Sequence, residues 1–163
     1  MGGYPCRALR TQDFLYIHNF DAQRWPAGTP NWQQAAFPGS WLGDCDNSPT
    51  KTYMVENRHQ DADYERLYEL SFGLRGAEEL YDVRKDPDQL NNVIDQPAYA
   101  ETRQQLAARL LHLLKETGDP RVVGGGEQFD NYPYLGGAPQ HPDFTALQKK
   151  KLQQQRELEK RKR

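Results

Sequence analysis

Cysteine is scarce in this chain of 163 residues: there are two, Cys6 and Cys45. With histidines only at positions 18, 59, 112 and 141, no set of four ligands at zinc spacing exists. The two thiols are compatible with one bridge in an oxidising compartment or with two free side chains. Long apolar runs are missing too. No stretch approaches the ~20 residues that span a bilayer. The start, Met1-Gly2-Gly3-Tyr4-Pro5, has neither the basic region nor the apolar stretch of a secretory signal, so a signal is expected only upstream of it. Hydrophobic residues make up 36% of the chain and mean hydropathy is −0.99. These values predict that part of the chain is loop or tail.

Catalytic and ligand-binding motifs are equally thin. Gly124-Gly125-Gly126-Glu127 is not followed by Gly-Lys-Ser/Thr and does not lead from a strand into a helix, so it reads as a flexible loop and not a phosphate cradle. Glu78, Glu79, Asp82, Asp86 and Asp88 form an acidic run without the ligand spacing or the glycine of a calcium loop. Turn chemistry and a solvated face account for it. Arg7, Arg10 and His18 are candidates for an anion patch, because a guanidinium fork matches sulfate or carboxylate; strand residues with local partners are the plainer alternative. His59, His112 and His141 have no evident partners, and no Ser/His/Asp or Cys/His set can be assembled.

What the chain does have is aromatic residues, 11% of the total, and an uneven charge. Residues 149–163 hold eight Lys/Arg against two acids, which leaves the remainder acidic although the whole chain is at −2. An acidic body with a basic tail argues against a dedicated nucleic-acid domain. Residues 145–163 have high helix propensity but few apolar anchors, and a solvated, fraying helix is expected there.

Alternation over 7–20 predicts a β-hairpin turning at Gln12-Asp13, with Leu15 and Ile17 on one face and Phe14, Tyr16 and His18 on the other. Residues 21–50 hold Pro26, Pro30, Pro38, Pro49 and several glycines, which predict an irregular segment carrying Trp25, Trp32, Phe37 and Trp41. A short helix is predicted over 61–72 with Asp61 as its cap, then a strand over 79–83 and a turn at Lys85-Asp86-Pro87-Asp88. The strongest periodicity predicts a helix from about Pro97 to Thr117, capped by Asp95 or Gln96. Its stripe is Tyr99, Leu106, Leu110, Leu113 and Leu114, and Gly118 stands at its C′ position. The fold class implied is α+β: a small antiparallel sheet packed by a C-terminal helix, with long loops and a charged helical or disordered tail.

Two stretches resemble a known family. Tyr4-Pro5-Cys6-Arg7-Ala8-Leu9-Arg10-Thr11, running on to His18-Asn19-Phe20, is similar to the hairpin that opens the C-terminal subdomain of sulfatases. Glu79-Leu80-Tyr81-Asp82, then Asp86-Pro87, then Asn91-Asn92-Val93, looks like the signature strand and loop of the same subdomain. Pro97-Ala98-Tyr99-Ala100 and Glu116-Thr117-Gly118-Asp119-Pro120 extend the likeness, which is nearest to the heparan N-sulfatase (N-sulfoglucosamine sulfohydrolase) branch.

The resemblance implies a sulfatase C-terminal subdomain over 1–135, followed by a linker and basic solvated tail over 136–163. The catalytic domain would be a separate part and this chain's own partner. Calcium and formylglycine would sit in that domain, with neither a metal nor a cofactor held by this chain. In such enzymes hydrated formylglycine attacks sulfur while the metal neutralises sulfate oxygens. Arg10, Thr11, Leu80, Tyr81, Asp82, Asp86, Pro87 and Asn92 are then signature residues with structural roles. Arg7, Arg24 and Trp25 are candidates for the rim of a cleft that takes sulfated carbohydrate. An exported protein, periplasmic or secreted, is implied. Cys6-Arg7-Ala8-Leu9-Arg10 formally fits the Cys-x-Pro/Ala-x-Arg pattern of the modified cysteine. Its surroundings match the hairpin instead, and Thr11-Gln12-Asp13 stands where Leu-Thr-Gly is usual. The alternative reading is a stand-alone module that binds sulfated glycans or a protein partner.

Overall fold

The computed structural model describes residues 3–133 and 135–161. Met1 and Gly2, Tyr134 of the predicted loop, and Lys162 and Arg163 of the basic tail lie outside the described residues. The chain forms two compact units, each made of two separate stretches. One takes the residues before Ala27 together with those from Glu69 up to, but not including, Leu135; the other takes Ala27–Tyr68 and the chain from Leu135 onward. This division differs from a boundary at 135, because residues 27–68 group with the chain beyond that point.

The first unit is built on a three-stranded antiparallel sheet in the order β1-β2-β3. β1 (Cys6–Arg10) and β2 (Phe14–Asn19) make the predicted hairpin, in register from Cys6↔Asn19 to Arg10↔Leu15. Thr11 closes it: its hydroxyl accepts the amide of Phe14 at 2.9 Å and that of Asp13 at 3.3 Å. Such side-chain-to-backbone bonds set a tight turn without glycine. β3 (Glu78–Asp82) pairs with the other edge of β2, from Phe14↔Asp82 to His18↔Glu78. The alternation places Tyr16 and Leu80 opposite each other, at 2% and 0% exposure.

A 3-10 turn at Pro97–Tyr99 starts the long helix, which continues through Ala100–Glu116. Gln96 occupies the position before it but makes no side-chain cap. Leu106 and Leu110, one turn apart, close the core with Tyr16, Leu80 and Val93. Tyr99 and Leu114 pack against this cluster as their spacing predicts, whereas Leu113 is 37% exposed in the helix's last turn. Full burial of a leucine or tyrosine of this kind contributes about 1.5–3 kcal/mol each. Gly118 takes a φ of +67°, which lets the Asp119 amide reach back to the Leu114 carbonyl at 2.8 Å. Two single helical turns come next, Pro120–Val123 and Gln128–Asn131.

The second unit holds helix Pro49–Asn57, which the sequence pattern leaves unassigned. Ser48 caps it by accepting the Lys51 amide at 3.1 Å, and Pro49 occupies its first turn. The next helix, Ala62–Phe72, is capped by Asp61 as predicted, its carboxylate accepting the amides of Asp63 and Tyr64; the division between the units falls within it. The last helix, Pro142–Arg161, begins three residues before the predicted one. The stretch before it is not a free linker. Trp41 donates its amide to Pro139 at 3.0 Å, His141 donates to Gly39 at 2.9 Å, and Ser40 and Gln140 form a β-bridge. Phe144 lies against Gly39, where any Cβ would overlap its ring. Backbone pairing and aromatic contact therefore hold 139–144 to residues 39–41.

Lys51 organises this unit. At 2% exposure it is buried, and its ammonium donates to the carbonyls of Trp41 (2.7 Å), Cys45 (2.8 Å) and Leu42 (3.3 Å) and to Asn47 Oδ1 (3.1 Å). The charge also sits 4.6 Å from the centre of the Trp41 ring. Burial lowers the Lys51 pKa, and the ring of carbonyls offsets that desolvation with charge-assisted bonds. Lys51→Met keeps the length but leaves those carbonyls without a donor. The expected loss is about 2–4 kcal/mol of unfolding free energy, read by denaturant titration. An unchanged midpoint would show that the cage does not support the loop.

Candidate functional site

The signature residues of the strand and its loop hold the loop in place. Leu80 donates its amide to Asn92 Oδ1 at 2.9 Å, and Val93 donates its amide to the Leu80 carbonyl at 2.8 Å. Asn92 Oδ1 also accepts the Ile94 amide at 3.1 Å. Residues 92–93 thus satisfy the free edge of β3 at Leu80. Asp86 accepts the Asn91 amide at 2.7 Å and so closes the turn that Pro87 helps to shape. Asp82 is buried; it accepts the Tyr99 hydroxyl at 3.0 Å and pairs with Lys85 at 3.3 Å. Burial acts to raise the Asp82 pKa, but the bonds from Tyr99 and Lys85 hold it below the usual carboxylate range. Burial and the neighbouring Glu79 push the Tyr81 hydroxyl up, and Tyr81 donates to Glu79 at 2.6 Å. Glu79 in turn accepts from Asn19 at 2.8 Å. Glu79, Asp82 and Asp86 of the acidic run are therefore bound into turns and strand contacts.

Of the arginines proposed for anion binding or a cleft rim, Arg7 and Arg24 are paired with carboxylates. Arg7 donates Nε to Asp119 at 2.6 Å and a second nitrogen to the other oxygen at 3.2 Å. That fork joins β1 to the end of the long helix. Arg24 donates to Asp130 at 2.6 Å and lies 3.3 Å from Asp21. Arg121 meets Asp130 from another side at 2.8 Å. Arg10 is exposed and donates to the Thr11 carbonyl at 3.1 Å. Arg7 and His18 are cross-strand neighbours, but Arg10 lies three residues further along β1 and so points to the opposite face. The three do not converge. Trp25 is half-buried in the same unit.

Cys6 opens edge strand β1 opposite Asn19 and is half-buried; it does not start a helix. Both cysteines are free thiols. Among the described residues no group of three or more His, Cys, Asp or Glu side chains is placed to hold a metal ion. No described helix is long and apolar enough to cross a membrane.

A second cluster, visible in the sequence only as scattered tryptophans, lies in the other unit. The Trp32 and His141 rings stack with centres 5.3 Å apart and an interplanar angle of 15°. Trp41 presents its edge to the same imidazole at 4.9 Å. Arg58 lies over the Tyr68 ring at 5.6 Å. The signal available in the sequence was the density of Trp between 25 and 41; the contribution of His141, about a hundred residues later, was not legible there.

No family model matches the chain, and no curated protein matches it.

The paired carboxylates give the sheet unit a defined acid response. Hydrogen bonds from Arg7 hold the Asp119 pKa low, and those from Arg121 and Arg24 hold Asp130 lower still. Burial acts to raise Glu78, yet bonds from Tyr16 and Arg103 keep it depressed. With folded pKa values below the unfolded ones, the unfolded chain binds more protons in acid. The stabilisation is thus complete above the unfolded carboxylate pKa of about 4 and is lost as pH falls through the folded values. Asp119→Asn is expected to be less stable than the parent by about 1–3 kcal/mol at neutral pH. The gap should close as pH falls through the depressed folded pKa of Asp119, where the parent carboxylate is also protonated. A gap that stays constant across an acid titration of the melting temperature would remove Asp119 from this role.

Proposed function

We propose that this chain serves as the C-terminal subdomain of a sulfatase of the heparan N-sulfatase type, supporting a catalytic domain that hydrolyses sulfate esters or N-sulfates of glycans. The observation that carries the reading is the pairing of β2 with β3. The two stretches that resemble the family lie about sixty residues apart in sequence, yet they form adjacent strands of one sheet. Asn92 and Val93 of the second stretch then fasten the loop back onto Leu80. A set of residues engaged in backbone closure and ion pairing suits a supporting part better than a reaction centre.

In this reading formylglycine and calcium belong to the catalytic domain, and the present chain does not turn over substrate alone. Exposed apolar side chains of the sheet unit, among them Leu74, Leu90, Leu111 and Val123 at 44–57% exposure, are suited to contact that domain. The assembled protein is an exported enzyme. Arg7 and Arg24 act there as braces for the loops bordering the cleft, since both guanidinium groups already face carboxylates.

The reading is tested at the gene. DNA preceding the Met1 codon is expected to encode, in the same frame, paired aspartates and a Cys/Ser-x-Pro/Ala-x-Arg motif. An in-frame stop directly upstream, with no such module beside it, would sink the proposal. In the assembled enzyme Asn92→Ala is expected to lower stability by about 1–2 kcal/mol, because the Leu80 and Ile94 amides lose their acceptor, while KM stays unchanged. A changed KM with unchanged melting temperature would instead put Asn92 at the substrate.

A further inference from the structure

The unit formed by Ala27–Tyr68 and the chain from Leu135 contains a cleft of about 640 Å³, within the ~300–1,000 Å³ typical of small-molecule sites. Its lining is of two kinds. Trp32 and His141, both half-buried, supply aromatic surface as a stacked pair, with Phe144 edge-to-face against the indole, over a floor of buried Trp41 and Tyr68. Asn31, Gln33, Glu56 and Asp143 are exposed polar groups at the same cleft, and Arg58 is half-buried beside them. The floor is held by backbone and ammonium hydrogen bonds. Trp41 is 4% exposed, its carbonyl accepts from Lys51, and its amide is bonded to Pro139. The His141 amide is bonded to Gly39.

We infer that this cleft binds an uncharged pyranose unit of a glycan. The C–H groups on one face of a pyranose carry partial positive charge and lie well against the electron-rich face of an indole. The ring's vicinal hydroxyls both donate and accept. That matches a rim of carboxylates, which accept, and primary amides, which do both. The charge of the lining argues against an anionic sugar: two carboxylates, Glu56 and Asp143, face one guanidinium. That guanidinium already donates to the Val55 carbonyl at 2.6 Å and lies over Tyr68. Asp143 also stands 3.8 Å from His141. A sulfate placed here meets net negative charge, whereas a neutral sugar does not. The inference goes beyond the sulfatase reading and does not depend on it, because it concerns a different unit and a different class of ligand.

The test uses the full chain on an array of neutral and sulfated glycans, with salt raised to about 0.3 M to screen the basic tail. Hits are then titrated by isothermal calorimetry. Binding to neutral glycans is expected, with Trp32→Ala weakening it by about tenfold or more. Trp32→Ala could also disturb the stack, so Glu56→Gln and Asp143→Asn are measured beside it. Both alter exposed rim groups. Each is expected to weaken neutral-glycan binding about threefold to tenfold without moving the melting temperature. Three results would overturn the inference: no neutral glycan bound above background, neutral binding unchanged in all three variants, or binding confined to sulfated glycans. None of them bears on the upstream-gene test of the sulfatase reading.

Discussion

The central strand β2 must satisfy its backbone on both edges, and the sheet unit follows from that demand. One edge is met locally, by a hairpin that Thr11 closes within four residues. The other can be met only by residues 78–82, brought back across a long intervening segment. Closing so long a loop is entropically unfavourable, though the cost grows only slowly with length. The return is offset by burying Tyr16 and Leu80 against each other and beneath the long helix. The free edge of β3 is then met at Leu80 by Asn92 and Val93, side chain and backbone acting together.

Two kinds of polar fastening divide between the units. In the sheet unit, opposite charges meet: Arg7 with Asp119, Arg103 with Glu78, and Arg24 and Arg121 with Asp130. These pairs are partly open to water, so they act chiefly by fixing geometry where the chain changes direction. In the other unit, a single ammonium meets neutral carbonyls, and no carboxylate lies within ion-pair distance of Lys51 among the described residues. Carbonyls do not titrate in the accessible range, and a charge buried among oriented dipoles is less exposed to salt than a surface pair.

The sheet unit was largely legible because its signals are local. Alternation marked β2, and Leu106, Leu110 and Gly118 placed the long helix and its end; in the other unit only Asp61 announced a cap as plainly. The fold class rests on these and is what the structure has. Helix Pro49–Asn57 was hidden because its residues are not amphipathic. It is stabilised by a serine cap, a first-turn proline and one lysine whose partners are backbone atoms, which no side-chain pattern reveals. The partners of the arginines were hidden for a similar reason. The sequence showed Arg7, Arg10 and His18 as a patch and Arg24 at a rim, but Asp119 and Asp130, which engage Arg7 and Arg24, lie more than a hundred residues away, and only Asp21 beside Arg24 is local. The aromatic cleft was half visible: the tryptophans stood out in sequence, whereas His141 and Asp143 sat in what read as a linker.

The stretches that build the two units alternate along the chain: sheet unit, second unit, sheet unit, second unit. An alternating order means that no continuous fragment contains either unit whole without residues of the other. A ribosome that has released the first hundred residues has delivered both hairpin and strand β3, but only the start of the long helix, and none of the residues that pair with Gly39 and Trp41. A protease cut in the loop after Val123 would leave each piece with portions of both units. The molecule is thus mature only when its last third has been made, and its two halves cannot be inherited or shuffled separately by a single break in the gene.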